Sequence, residues 1–561
     1  MSIYQGFRRQ AVPQQAAQQV TALTIPAPTR GLVESENLAF MQPGAAVLQD
    51  NWLPTMRGAK LRGGCERWCV LPETTPIISS FEYISANVQK MFVGNATKLY
   101  DVTSSTAVAI KTGQASGNYV AAQMSNMSGD HMLVANEAGD YLLHFDGTTW
   151  TTFNTSQITT DPAVTPPPTC ATGHNLTYVW KYRNRLFFIE GGSMNAWYLD
   201  IDAYQGVLKL VPLSGAASKG GKLIFGATWS LDAGDGTDEK CVFGTSEGEL
   251  LIFTGTNPGD INNWRQEGRY YASAPMGMNA HMSVGGDLLL ATVDGIIPIS
   301  SAITKDATQL ELAAITVNIK NTWRKEVAAK RTLPWTMKKW DDFGGIFVTW
   351  PGGNPGNRYC AIANIATGAW ARCLGWDATC FLRMRGDMFF GTQDGIVMQA
   401  DRTGYDDGKP YVATLVSGWG ALQSRLAAVT WHQARATFVS GGREPFVPQL
   451  FACTDYVVAV PVAPAAGPDT SVEDVWDQGL WAPDMGGPPP PVPTQAQRDQ
   501  YAQWDQPSDQ TGAVYNTMWV SIGATGYVHA LGVQVTVAQR AKPNVELIAV
   551  DAIFGPMGTN V

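Results

Sequence analysis

Between residues 75 and 416 the apolar residues come in runs of five to eight, often alternating with polar ones and punctuated by Gly, Asn and Asp. Runs of that length and period read as strands, since a globular helix needs a longer stretch with a 3.6-residue repeat. One unit recurs: an apolar run, a small turn and a second run, at residues 91–102, 132–147, 185–201, 242–253, 288–300, 346–365 and 388–401. A turn glycine from each (Gly94, Gly139, Gly191, Gly248, Gly295, Gly353, Gly395) gives spacings between 42 and 58 residues. A repeat of about 50 residues is the size of a four-stranded propeller blade. The second unit fills in as four short strands at 119–127, 131–137, 141–146 and 150–154, and the fourth at 222–230, 240–245, 249–254 and 265–271. The pattern predicts an all-β fold, a β-propeller of six or seven four-stranded blades over 75–416. An array of β-sandwiches shares the same strand pattern and is the alternative.

One stretch breaks the period. Residues 318–331 are rich in helix formers, with Trp323 and Val327 at i, i+4, and predict an amphipathic helix inserted between blades. Five of its fourteen residues are Lys or Arg, which suits either a solvated face or contact with nucleic acid or an acidic partner. Residues 1–74 read as an N-terminal arm and docking segment. Residues 417–561 read as a C-terminal β domain, with apolar parts at 425–460 and 514–556. The Pro- and Trp-rich excursion between them, 465–510, has no pattern for a packed core. Trp476, Trp481 and Trp504 are its candidate contacts to a partner or a neighbouring subunit.

Charge narrows the partners. Lys and Arg number 39 against 48 Asp and Glu, a net −9, which excludes a basic protein that wraps DNA, because neutralising phosphates takes clustered cations. The first thirty residues hold no apolar core of a secretory signal, and no run of about 18 apolar residues occurs, so synthesis and folding in the cytoplasm and no membrane-spanning segment are expected. The eight cysteines include no C-x-x-C pair and read as buried, reduced thiols.

Patterns associated with catalysis dissolve on inspection. GTSEG at 244–248 matches a nucleophile elbow, but a strand-like run follows where a helix is required, so Ser246 belongs in a hairpin. SGAASKGGKL at 214–223 misses the phosphate-loop spacing by one residue and has Leu223 where a hydroxyl should be. Asp232, Asp235, Asp238 and Glu239 bunch in one loop without the alternation of a calcium loop. FDGTTW at 145–150 resembles a sialidase-type Asp-box hairpin with one residue missing. The six histidines form no metal or acid–base pair by spacing. No enzyme, catalytic residue, cofactor or metal is expected.

The segment 31–68, GLVESENLAFMQPGAAVLQDNWLPTMRGAKLRGGCERW, resembles the N-terminal signature of nozzle proteins of short-tailed bacteriophages, also called tail tubular protein B or packaged-DNA stabilisation proteins. The matching positions are Gly31, Leu38, Met41, Ala46, Asn51, Trp52, Pro54, Arg62 and Gly63. The repeat units, residues 390–408, the Trp-Asp motifs near 476 and 504, and residues 518–537 also have the family's look. The resemblance implies a virion tail protein that forms a ring, a hexamer, below the portal and adaptor proteins. It also implies contacts to tail fibres or spikes, weak non-specific contact with double-stranded DNA in the lumen, and retention of the genome until ejection. On it, Asn51, Trp52, Pro54, Arg57, Arg62, Arg67 and Trp68 would dock onto the tail, the tryptophans as apolar anchors and the arginines as polar partners. A receptor- or glycan-binding tail propeller, using the 19 tryptophans to stack on sugars, is the second reading.

Overall fold

A computed structural model of the protein describes residues 20–165, 168–230, 239–305, 307–350, 352, 358–422, 426–440, 447–467 and 513–556. Six small sheets stand in a ring as a β-propeller, built from residues 79–111, 119–152, 158–212, 223–271, 281–298, and 378–400 joined by 65–70. Between the fifth and the sixth the ring is filled by Met337–Trp340, Gly345–Thr349, Tyr359–Asn364 and Trp370–Leu374, four strands that belong to a larger, nine-stranded sheet. Counted by separate small sheets the blades number six, and by stations around the axis seven.

The hairpins form where the chain supplies left-handed turn residues. Arg385 and Gly386, at φ 53° and 91°, make the two-residue turn between Ala378–Met384 and Asp387–Thr392, the turn whose twist matches that of paired strands. Neighbouring blades bury aromatic faces against each other. Trp180 stacks edge-on to Phe243 at 5.5 Å, and it reaches that place because Gly226 offers no side chain: a Cβ there would lie 2.4 Å from the Trp180 ring. All eight cysteines are buried and free.

The ring closes with a strand from far away in sequence. Cys65–Val70 pairs antiparallel with Ile396–Ala400 and becomes the outermost strand of the last blade. The segment before it is woven in as well: Gly31–Leu32 and Ala45–Asp50 lie inside the nine-stranded sheet, and Trp52–Pro54 and Ala59–Leu61 edge an eight-stranded one. Residues 20–74 therefore share their strands between propeller and C-terminal unit and do not stand apart as an arm. The two large sheets face each other as a sandwich around Trp52, Trp431, Phe438, Val533, Val535 and Leu547.

The inserted helix spans Lys320–Lys330 and comes after the three-stranded blade, whose last strand leads first into two shorter helices, Ile299–Thr304 and Ala307–Ala313. It buries Trp323 and Val327, with Trp323 edge-on to Trp335 at 5.2 Å. Much of its basic face is used internally: Lys320 and Arg324 share Glu311, and Lys330 pairs with Glu326 at i, i+4.

A histidine relay lies between the second and third blades. Ser128 Oγ, His131, His144 and Thr151 Oγ1 follow one another at 2.8, 3.0 and 3.1 Å, and the Tyr204 ring stacks on both imidazoles. Burial lowers the pKa of His131. Burial, and then the neighbouring His131, push His144 down to about 4 from 6.5. The folded protein thus holds these rings neutral while the unfolded chain takes protons. The associated stability is complete above pH 6.5 and is lost as pH falls toward 4. Melting temperature should drop across that window, and H131N/H144N should drop less. Parallel pH curves for the two proteins would contradict this.

Candidate functional site: the seam at Arg62

Gly31, Asn51, Trp52, Pro54, Arg62 and Gly63 gather at the junction of propeller and sandwich, whereas Leu38 lies exposed in a short 3-10 turn. Asn51 turns the chain at φ 62°, donating its backbone N–H to the Arg372 carbonyl at 2.8 Å and its side-chain amide to the Val412 carbonyl at 2.7 Å. Arg62 is fully buried, and each of its five N–H donors has an acceptor. Nε donates to Asn51 Oδ1 at 2.8 Å. Nη1 donates to the Gly63 carbonyl and Asp406 Oδ1, both at 2.8 Å. Nη2 donates to the Leu374 carbonyl at 2.7 Å and Asp406 Oδ2 at 2.5 Å. The guanidinium also lies 4.1 Å from the Tyr411 ring centre and 5.0 Å from that of Trp376, and the Tyr411 hydroxyl donates to the Arg62 carbonyl.

Burial works against this charge, but the Asp406 carboxylate overcomes it and raises the Arg62 pKa. A second ion pair runs parallel, Arg372 Nε and Nη2 to Asp50 at 2.6 and 2.9 Å. Here burial prevails on the acid, raising the Asp50 pKa against the pull of Arg372. Gly31 belongs to the same joint: at φ 69°, a Cβ would meet the Trp370 carbonyl oxygen at 2.5 Å.

These positions divide into two groups. Asn51, Trp52 and Arg62 are interior, with Trp52 stacked on Phe438 at 6.5 Å, and the Pro54 carbonyl accepts from Asn364. Trp68 is half-buried and donates to the Val102 carbonyl at 2.8 Å. Only Arg57 and Arg67 project, and both are paired, with Glu546 at 3.1 Å and with Asp407 at 2.6 Å. Apolar anchoring of a partner by Trp52 therefore has no exposed side chain to act through. Trp476, Trp481 and Trp504 lie outside the described residues, as do Asp232, Asp235 and Asp238. Asp50, Arg372, Asp406 and Tyr411 escaped sequence reasoning, because nothing local says which distant strand supplies a counter-ion.

Two cavities flank the seam and the axis. One of about 500 Å3 lies between the hairpin tip at Arg57 and the propeller, with Lys60, Asp342, Asn364, Ser440 and Glu546 among its walls. The other, about 330 Å3, follows the inner strands of four blades and is lined by Gln123, Tyr178, Lys181, Thr228, His281 and Met282. Burial pushes His281 down to about 4, so it stands neutral beside the Tyr178 hydroxyl at 3.2 Å. Among the described residues no three of His, Cys, Asp and Glu gather as a metal group. Ser246 sits in the tight turn between Lys240–Thr245 and Glu249–Gly255. The glycine-rich loop at 214–223 does cradle an anion, but its own: the backbone N–H groups of Ser218 and Lys219 donate to the Glu249 carboxylate at 2.9 Å.

No protein-family model matches the sequence, and no curated protein does. Solved structures with a general likeness of shape are propellers and related proteins. The Cps50 (Swd1) β-propeller domain of Myceliophteria thermophila aligns at 12% identity and TM-score 0.35 over 61% of this chain and 100% of that one. YCF48 from Cyanidioschyzon merolae aligns at 11% and 0.33 over 60% and 98%. Sqt1 of Saccharomyces cerevisiae aligns at 11% and 0.34 over 63% and 96%. Nothing about binding or activity passes to this chain at such values.

Arg62→Ala would leave Asp406 part-buried and unpaired, and should cost about 3–5 kcal/mol of unfolding free energy. Arg67→Ala, at a surface pair, should cost less than about 1 kcal/mol. Urea unfolding of both variants checks the contrast; equal losses would refute the structural weight given to the Arg62 seam.

Proposed function

We propose that the chain is a structural protein of a bacteriophage virion, the nozzle of a short tail. Six copies, assembled in the host cytoplasm, would form a ring below the portal and adaptor proteins, touch tail fibres or spikes, and hold the packaged double-stranded DNA until release. The observation that carries the reading is the use made of segment 31–68. Three of the residues of the resemblance, Gly31, Asn51 and Arg62, help weld propeller and sandwich into one stiff block. A ring of stiff blocks can enclose a bore that keeps its width under the pressure of packed DNA. The net charge of −9 suits such a wall, because a conduit that bound phosphates tightly would resist sliding. The reading assigns the chain no bond-making step.

A propeller-type receptor- or glycan-binding tail protein is the alternative, and the tryptophans weigh against it. Of the sixteen in the described residues thirteen are buried, Trp68 and Trp150 are half-buried, and Trp519 alone is exposed, so they pack the interior and offer little platform for sugar rings. Electron microscopy of purified chain, with native mass spectrometry, should give a closed ring of six with an axial hole. A persistent monomer that binds on a glycan array would reverse the assignment.

A further inference from the structure

The eight-stranded sheet ends on both sides in edges that no described strand covers. On one side Thr21–Pro26 pairs with Val545–Pro556, from Thr21 opposite Phe554 to Pro26 opposite Ala549. On the other, Ala513–Asn516 pairs with Val429–Ser440, which in turn pairs with Val545–Pro556. Every step is antiparallel. With four strands in this row, an even number, the two outermost run in opposite directions. A rotation about an axis roughly along the strands therefore sets Thr21–Pro26 of one copy beside Ala513–Asn516 of the next in antiparallel sense, with the same face of the sheet outward. A head-to-tail contact of this kind closes into a ring when the rotation per copy divides a full turn.

The free backbone groups fit that contact. Ala27 donates its N–H inward, to the Ile548 carbonyl at 2.8 Å, so the alternation along the strand turns the N–H groups of Ala22 and Thr24 outward. Pro26, at the next outward position, has no N–H to leave bare, as expected of a proline on an edge. On the opposite edge Thr517 donates inward to the Ala436 carbonyl at 2.9 Å, which turns the N–H groups of Val514 and Asn516 outward. Both rims also expose apolar side chains, Val20 and Leu23 on one and Val514, Met518 and Trp519 on the other.

We propose that this sheet continues from copy to copy, the edge Thr21–Pro26 of one chain pairing with the edge Ala513–Asn516 of its neighbour. The occupant of each edge is a second copy of this chain. The inference rests on the ring reading above and names the joint that builds the ring. The outer face of the row, where Arg435 pairs with Asp551, Thr24 donates to Asp551 at 2.6 Å and Thr437 donates to Asn516 at 2.6 Å, would then run unbroken around the assembly.

The test uses the full chain and the two outward positions that carry no side-chain hydrogen bond. Ala22→Pro and Val514→Pro each remove an N–H that points away from the parent sheet. Each should weaken assembly by about tenfold or more in sedimentation and native mass spectrometry, with melting temperature within about 2 °C of the parent. Mixing an Ala22→Cys chain with a Val514→Cys chain under oxidation should give a disulfide between the two chains, which neither forms alone. Should a proline variant fail to fold, the cross-link decides. Intact rings in both proline variants, with no cross-link, would overturn the edge pairing and leave the ring standing. A parent chain that never assembles would overturn the ring reading, and this joint with it.

Discussion

A guanidinium removed from water keeps its place only if every N–H finds an acceptor and a counter-charge stands close by. Arg62 meets both conditions, and its acceptors come from three separated stretches of the chain: Asn51 and Gly63 beside it, Leu374 on a propeller strand, and Asp406 after the last blade. Each partner is useless to the others without the arginine. The seam therefore forms all at once or not at all, and it aligns the strand Cys65–Val70 that closes the ring.

The closing strand has a further mechanical effect. A propeller whose last blade is completed from the opposite end of the sequence cannot open without tearing a ladder of backbone hydrogen bonds. Here the same N-terminal passage also supplies Trp52 to the sandwich core and Ala45–Asp50 to the nine-stranded sheet. Propeller and sandwich are thus coupled through three sheets and two parallel ion pairs.

Much of the propeller was legible in the sequence, because its first five blades are local: each is built from strands close together in the chain, and alternation with turn residues marks the hairpins. The strands Lys240–Thr245 and Glu249–Gly255 fall within a residue of their expected limits. The helix at Lys320–Lys330 was readable from Trp323 and Val327 for the same reason. The joint was not. Trp52 and Arg62 look like interface residues when read alone, since a tryptophan beside arginines is what a docking surface also uses. Their burial depends on Phe438, Asp406 and Tyr411, more than 340 residues away, and no local pattern encodes a pairing at that distance. Glu249, held by the loop at 218–219, likewise reads as a hairpin residue until its distant donors are seen.

Native-state hydrogen exchange measures the coupling most directly. If one seam locks the molecule, the amides of Cys65–Val70, of Ile396–Ala400 and of the sandwich strand His529–Val537 will exchange with a common opening free energy and a common denaturant dependence. Two separate opening free energies, with the propeller strands released while the sandwich stays protected, would contradict it.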